Sequence, residues 1–104
     1  MAAERPVRSL PVAVFWPEVA SVTQARHRLV DFLYDVPDEV RYVAALLVSE
    51  LTTNVIRHTH SPFSLRADRT PLGVRVEVAD ESPSPPVVLQ PQPWETTGRG
   101  MLLV

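Results

Sequence analysis

Hydrophobic side chains alternate with other residues in three stretches of the chain, and each stretch predicts a β-strand. Residues 10–16 form the first, and Pro11 within it favours a position at the edge of a sheet, where a missing backbone donor is tolerated. Residues 63–68 and 72–79 form the other two. The short turn at Thr70-Pro71 between them predicts a β-hairpin.

Two stretches between the first strand and the hairpin carry apolar residues at helical spacing. They cover about 21–34 and about 38–58, and each opens on a residue type that caps helix N-termini, Ser21 and Asp38. The predicted apolar face of the second helix comprises Val40, Val43, Ala44, Leu47, Leu51 and Val55. Two amphipathic helices followed by a hairpin predict an α+β fold, a two-layer sandwich with both helices on one face of a mainly antiparallel sheet.

Composition narrows the class of protein further. With 104 residues, of which 45% are hydrophobic and 21% charged, we expect one globular domain, residues 9–104, after a disordered segment 1–8. A net charge of −2 offers no basic field for a nucleic acid, and the chain has no cysteine for disulfides or thiolate metal sites. The apolar runs are too short to span a bilayer or to form a signal core. We therefore expect a cytoplasmic protein that contacts neither nucleic acid nor membrane. All ten basic residues are Arg, which is typical of a GC-rich bacterial genome.

Glu50 and Asn54 lie four residues apart on the second predicted helix, so they share one stripe. That stripe runs beside Val43 and Leu47 at the margin of the apolar face, where a carboxylate and an amide need polar partners. One interpretation is an edge pair that solvent or the protein itself satisfies. The other is the rim of a pocket, where Asn54 presents an oxygen to a cation and Glu50 accepts a proton. The pattern alone leaves both open.

Two further features follow the hairpin. Asp80 continues the inward-facing positions of the last strand, where it either caps a turn or accepts a hydrogen bond from an amine such as that of adenine. Residues 82–97 include five prolines, so we expect no regular structure there. Gly98 and Gly100, on either side of Arg99, form either a flexible turn or a backbone that can approach phosphates closely.

In this order the features resemble the GHKL superfamily, which includes histidine kinases, gyrase-type and chaperone ATPases, and anti-sigma factor serine/threonine kinases. Residues 49–58 (SELTTNVIRH) resemble its N-box. Residues 78–83 (VADESP) stand where its first glycine box belongs, and residues 98–104 (GRGMLLV) resemble the second. The chain is most similar to small bacterial ATP-binding proteins related to anti-sigma factor kinases, from about residue 8 onward. The resemblance implies the Bergerat-type ATP-binding fold.

The resemblance also implies roles for the polar residues. Asn54 is expected to ligate the Mg²⁺ that bridges the phosphates of ATP, and Glu50 to act as the general base. Asp80 is expected to bind the adenine amine.

The glycine-rich segment is expected to complete the site. Gly98, Arg99 and Gly100 are implied to bind the nucleotide, with the glycines bringing a lid, residues 82–97, and a following helix against the phosphates. The sequence departs from the family in having Asp80-Glu81-Ser82-Pro83-Ser84 where the superfamily has Asp-x-Gly-x-Gly. Family members also continue beyond the second glycine box, so we expect the domain to be incomplete, with poor order in residues 95–104.

Three functional hypotheses remain. The leading one is an anti-sigma type serine/threonine protein kinase that uses Mg-ATP to phosphorylate a protein partner, either a sigma factor or an anti-sigma antagonist. The second is a module that sequesters such a partner without catalysis, and the third is an inactive fragment. A homodimer is compatible with each of the first two. The shared fold does not separate these hypotheses.

Overall fold

A computed structural model describes residues 6–80, 87–88, 96–97 and 101–103. Within these residues the strands are β1 Arg8–Phe15, β2 Phe63–Thr70, β3 Gly73–Asp80, β4 Val87–Val88, β5 Thr96–Thr97 and β6 Met101–Leu103, and the helices are α1 Val19–Phe32 and α2 Asp38–Thr59. The strands form one antiparallel sheet in the order β1-β2-β3-β6-β5, with β4 also paired to β3. The helices pack against each other and on one face of this sheet. The predicted α+β two-layer sandwich is confirmed.

The β2–β3 hairpin follows its hydrophobic pattern closely. Its register runs from Phe63 opposite Asp80 to Thr70 opposite Gly73, and alternate residues on both strands are buried under the helices. Gly73 has φ 149°, a backbone angle that glycine adopts without steric cost. The strand β3 begins one residue later than predicted, because Leu72 lies in the turn and is 66% exposed.

The first strand lies at the edge of the sheet, as Pro11 predicts. A β-bulge separates Leu10, which pairs with Ala67, from Ala13, which pairs with Leu65. Three residues of β1 thus span two of β2, and the extra residue reverses which side chains face the helices. Beyond the bulge Ala13 and Phe15 are half-buried while the alternate side chains are exposed.

Both helices begin differently from the prediction. The N-cap of α1 is Glu18, without a side-chain cap, and Ser21 is buried inside the first turn. The N-cap of α2 is Pro37, so Asp38 is a helical residue and forms an ion pair with Arg41 instead of capping. In both cases the chain enters the helix earlier than the favoured capping residue.

The buried face of α2 is rotated from the predicted one. Its buried residues are Ala44, Val48, Leu51 and Thr52. Val48 is missing from the predicted face, whereas Val43 and Leu47 are only half-buried. The Thr52 hydroxyl donates to the carbonyl of Val48 at 2.8 Å, which satisfies this polar group inside the core. The core comprises Ala25, Leu29, Leu33, Val36, Ala44, Val48, Leu51, Phe63, Leu65, Ala67, Val74, Val76 and Val78.

Two arginines tie the helices to the rest of the fold. Arg8 donates to both carboxylate oxygens of Asp35, at 3.0 and 3.3 Å, and to the carbonyl of Phe32 at 2.6 Å. Arg41 donates to the carbonyls of Leu33, Tyr34 and Val36 at 3.0 to 3.2 Å, so it caps the C-terminal end of α1. The expected disorder of residues 1–8 is wrong at Arg8, which belongs to β1; residues 1–5 lie outside the described residues.

The segment after β3 contributes three short strands. Val87–Val88 pairs with Val78 and Glu77 of β3, and Met101–Leu103 pairs with Val76 and Arg75. Residues 82–97 therefore include some regular structure, and the residues after Gly100 form a strand where the resemblance implied a helix. Neither helix in the described part of the chain is long and apolar enough to cross a membrane.

Candidate functional site

Glu50 and Asn54 lie on an exposed stripe of α2. At about 100° per residue, Asn54 is turned roughly 60° and Glu50 roughly 100° from Leu51, on the side of Leu47. Leu51 is 8% exposed and belongs to the core, so the stripe borders the buried face. Both side chains are exposed, and Asn54 lies nearer to the buried face than Glu50 does.

Ser49, about 100° from Glu50 around the helix axis, lies on the side of α2 that contacts α1. Its hydroxyl accepts a hydrogen bond from Arg26 of α1 at 3.3 Å. The helix α1 also contacts β1 at one edge of the sheet, whereas α2 contacts β3 and β6.

Asp80 ends β3 on the helix-facing side of the sheet. It lies opposite Phe63, which is 1% exposed, and it continues the alternation of the buried residues Val74, Val76 and Val78. Phe63 stacks on Phe15 with ring centroids 5.4 Å apart. The predicted inward parity of Asp80 is confirmed, and its half-buried side chain lies at the rim of an aromatic layer.

Chain connectivity places the C-terminal end of α2 at the same end of the sandwich as Asp80. The helix α2 ends at Thr59, and only three residues separate that end from Phe63, the partner of Asp80. With a rise of about 1.5 Å per residue, Asn54 lies roughly 7.5 Å and Glu50 roughly 13.5 Å before the end of the helix. Asn54 is therefore closer than Glu50 to the end of the fold that holds Asp80, and Glu50 lies near the middle of α2.

The remaining predicted site residues, Gly98, Arg99 and Gly100, lie outside the described residues, as does most of the predicted lid 82–97. The strands on either side of the glycines are described. Thr96–Thr97 pairs with Met101 and Leu102, and α2 contacts β6. The glycine segment is thus bracketed by two paired strands, and the second of these lies against α2.

Glu50 and Asn54 of α2 can hold a metal ion only if other groups supply the remaining ligands. Among the described residues no group of three or more His, Asp or Glu side chains could hold a metal ion. Mg²⁺ commonly takes one or two protein oxygens and fills its octahedron with waters and substrate phosphates. The exposed carboxamide of Asn54 suits that arrangement, in which the metal arrives with a nucleotide.

Arg57 and His58 add basic side chains beyond Asn54. Both are exposed in the last turn of α2, where cations also stabilise the helix dipole. Arg57 makes no ion pair within the described residues. Both basic residues can be recognised in the sequence, but their stabilising effect on the end of the helix explains their presence as well as a role in the site does.

Comparison with known proteins identifies the family. The profile described as histidine kinase-like ATPase domain matches residues 15–104, which cover both helices, the hairpin and all six predicted site residues. Comparisons with curated proteins and with solved structures gave no significant match. The two-layer α+β fold agrees with that profile. The chain belongs to the histidine kinase-like ATPase domain family, whose members bind ATP.

Proposed function

We propose that the chain is a serine/threonine protein kinase of the anti-sigma type, which uses Mg-ATP to phosphorylate a protein partner. The observation that carries this proposal is that Glu50 and Asn54 are exposed on α2, whose C-terminal end is separated by three residues from Phe63, the strand partner of Asp80. A sigma factor or an anti-sigma antagonist is the proposed partner, on the strength of the sequence resemblance.

The proposed roles follow from the chemistry of each side chain. Bound Mg-ATP supplies the transferable phosphoryl group. Asn54 holds the metal through its carboxamide oxygen, and Asp80 accepts a hydrogen bond from the adenine amine. Glu50 accepts the proton of the attacking hydroxyl. Because Glu50 is exposed, a side chain of the partner can reach it. Phosphoryl transfer depends mainly on positioning and electrostatic stabilisation, so these few groups suffice in principle.

A module that binds its partner without catalysis is the second candidate. The observation that favours it is the sequence Glu81-Ser82-Pro83-Ser84, which carries Ser at both positions where the superfamily has glycine. Serine and proline have narrower backbone ranges than glycine, so the adenine end of the site would be less adaptable. Weak nucleotide affinity with retained partner binding is the behaviour expected of such a module.

One pair of measurements separates the candidates. Calorimetric titration of the chain with Mg-ATP, with ATP in EDTA as the control, tests nucleotide binding and its dependence on the metal. Transfer of radiolabel from γ-labelled ATP to sigma factors and anti-sigma antagonists then tests catalysis. Metal-dependent binding with label transfer supports the kinase. Stable partner complexes without transfer support the sequestering module, and absence of ATP binding rules out the kinase.

A further inference from the structure

One hydrogen bond between side chains joins the two helices beside Glu50. Arg26 of α1 donates to the hydroxyl of Ser49 at 3.3 Å, and Ser49 directly precedes Glu50 on α2. Among the described residues no other hydrogen bond links a side chain of α1 to a side chain of α2. The contact therefore ties α1 to the turn of α2 that carries Glu50.

Ser49 takes part in three hydrogen bonds that involve side chains. Its hydroxyl accepts from Arg26 and donates to the carbonyl of Ala45 at 2.8 Å. Its carbonyl accepts from the hydroxyl of Thr52, a buried residue, at 3.3 Å. Hydrogen bonds have preferred distances and angles, whereas the hydrophobic contacts between the helices are non-directional. Since only the bond from Arg26 reaches another element, it is the contact that sets how this turn of α2 is rotated relative to α1.

Neutralisation of charge does not account for the contact. Arg26 is half-buried, and within the described part of the chain it makes no ion pair. Arginine is the residue best suited to pair with a carboxylate, because its planar fork matches both oxygens. Here the fork is directed at a neutral hydroxyl of the facing helix. The bond therefore holds the geometry of the two helices and balances no charge.

We propose that Arg26 and Ser49 are positioning residues, which fix the rotation of α2 about its axis and so direct Glu50 and Asn54 at the bound nucleotide. This inference rests on the roles proposed above for Glu50 and Asn54. The tip of a helix side chain lies about 5–6 Å from the helix axis, so a rotation of about 10° displaces it by roughly 1 Å. A displacement of that size lowers the rate of a catalysed reaction by up to about 10²-fold.

Calorimetric titration with Mg-ATP, and with ATP in EDTA, measures how much the metal adds to the affinity for ATP. We expect Arg26→Met to reduce this gain about fivefold or more, because Asn54 is displaced from the metal. Affinity for ATP in EDTA should stay within about twofold of the parent, since Asn54 then has no metal to hold. Equal gains in the parent and in Arg26→Met overturn the proposal.

Two further variants match Arg26→Met. Arg26→Lys keeps a donor that reaches the hydroxyl of Ser49 and should recover most of the metal-dependent gain. Arg28→Met is the control on the same helix, because Arg28 is exposed and bonds only to the carbonyl of Pro11 within the described residues. We expect it to match the parent. Thermal melts of all variants show whether any of them loses its fold.

A double-mutant cycle tests whether Arg26 acts through Asn54. In the background of Asn54→Ala, Arg26→Met should change the affinity for Mg-ATP by less than about twofold, because the group that it positions is gone. Ser49→Ala should reproduce the effect of Arg26→Met, whereas Ser49→Thr, which keeps a hydroxyl, should resemble the parent. If the losses from Arg26→Met and Asn54→Ala multiplied instead, Arg26 would act independently of Asn54 and the proposal would be wrong.

The same variants, assayed for transfer to a partner that accepts label, test the effect on Glu50. We expect Arg26→Met to lower kcat by about 10–100-fold and to leave the KM for the partner within about twofold. A raised KM with an unchanged kcat would make Arg26 a partner contact and overturn the positioning role.

Nuclear magnetic resonance of the chain without nucleotide or partner tests the helix geometry by itself. The backbone amides of residues 48–55 should shift in Arg26→Met and stay unchanged in Arg28→Met. Shifts confined to α1 would overturn the positioning role even in an active kinase. If the parent binds Mg-ATP but transfers no label, the kinase proposal fails while the calorimetric cycle still decides the role of Arg26. A parent whose ATP affinity is independent of Mg²⁺ overturns this inference together with the role of Asn54.

Discussion

Asp80 lies directly opposite Phe63 across the β2–β3 pair, on the side of the sheet that the helices cover. Phe63 is buried and stacks on Phe15, so the carboxylate stands where an aromatic layer meets the end of β3. A flat apolar base with one exocyclic amine suits such a rim, because its ring can contact apolar atoms while its amine reaches an acceptor. This relationship gives the proposed adenine contact a specific test.

We expect Asp80→Asn to weaken ATP binding by about tenfold or more, since a hydrogen bond to a charged group contributes about 1.5–3 kcal/mol. Guanine has a carbonyl where adenine has the amine, so the preference for ATP over GTP should narrow. Fluorescence displacement with both nucleotides measures this. Glu77→Gln, on the opposite face of β3, is the control and should leave the preference intact. An unchanged preference in Asp80→Asn would instead support a turn-capping role.

Asn54→Ala should remove Mg²⁺-dependent ATP binding and leave the fold intact. The side chain is exposed, so truncation should change the free energy of unfolding by no more than about 0.5 kcal/mol. We expect affinity for Mg-ATP to fall by about tenfold or more, since every 1.4 kcal/mol of lost interaction costs a factor of ten. Calorimetry beside a thermal melt measures both quantities. Thr53→Ala, at the adjacent position on another side of α2, should bind normally, and equal affinity in Asn54→Ala would refute the metal role.

Glu50→Gln should retain ATP binding and lose phosphoryl transfer. The substitution keeps the shape of the side chain and removes its ability to accept a proton, which contributes roughly 10²–10⁴ to the rate of general base catalysis. A single-turnover transfer assay with a phosphorylated partner as product measures the loss. Glu39→Gln, exposed at the far end of α2, is the matched control. Undiminished transfer by Glu50→Gln would point to a different base.

The helices and the hairpin could be predicted because their patterns are local. Alternation placed Val74, Val76 and Val78 under the helices, and the same parity placed Asp80 on that side. The four-residue spacing of Glu50 and Asn54 fixed their shared stripe whatever the exact rotation of α2. These residues were correctly placed because periodicity alone determines which positions share a face.

Other features depend on contacts that no local pattern encodes. The bulge in β1 is set by pairing with β2, 48 or more residues away in sequence, and it reverses the exposure of Val14 and Phe15. Neither Ser21 nor Asp38 caps its helix, because the packing of the whole helix outweighs the local preference for a capping residue. Arg8 meets Asp35 across 27 positions, and nothing near Arg8 in sequence indicates it. Such long-range relationships are visible only once the chain is folded.

The Arg8–Asp35 pair predicts how stability depends on pH. The hydrogen bond from Arg8 is the main cause that lowers the pKa of Asp35 below its ordinary 3.8, with attraction from Arg69 and Arg8 adding to it. A carboxyl with a lowered pKa in the folded state binds protons more weakly there than in the unfolded chain. Its contribution to stability is therefore present above pH 3.8 and is lost as pH falls from 3.8 through the folded-state pKa.

We expect Asp35→Asn to lower the melting temperature at pH 7 and to flatten the loss of stability between about pH 4 and pH 2, because the variant has no carboxylate left to protonate there. Melting temperatures of parent and variant across that range measure the difference. Asp31→Asn, exposed on α1 and without an ion pair in the described residues, is the control and should follow the parent curve. The two arginines concerned, Arg8 and Arg69, face each other across β1 and β2, and Asp35 lies within 4 Å of both. If the Asp35→Asn curve coincided with the parent at every pH, this carboxylate would contribute nothing to holding the edge strand against the end of α1.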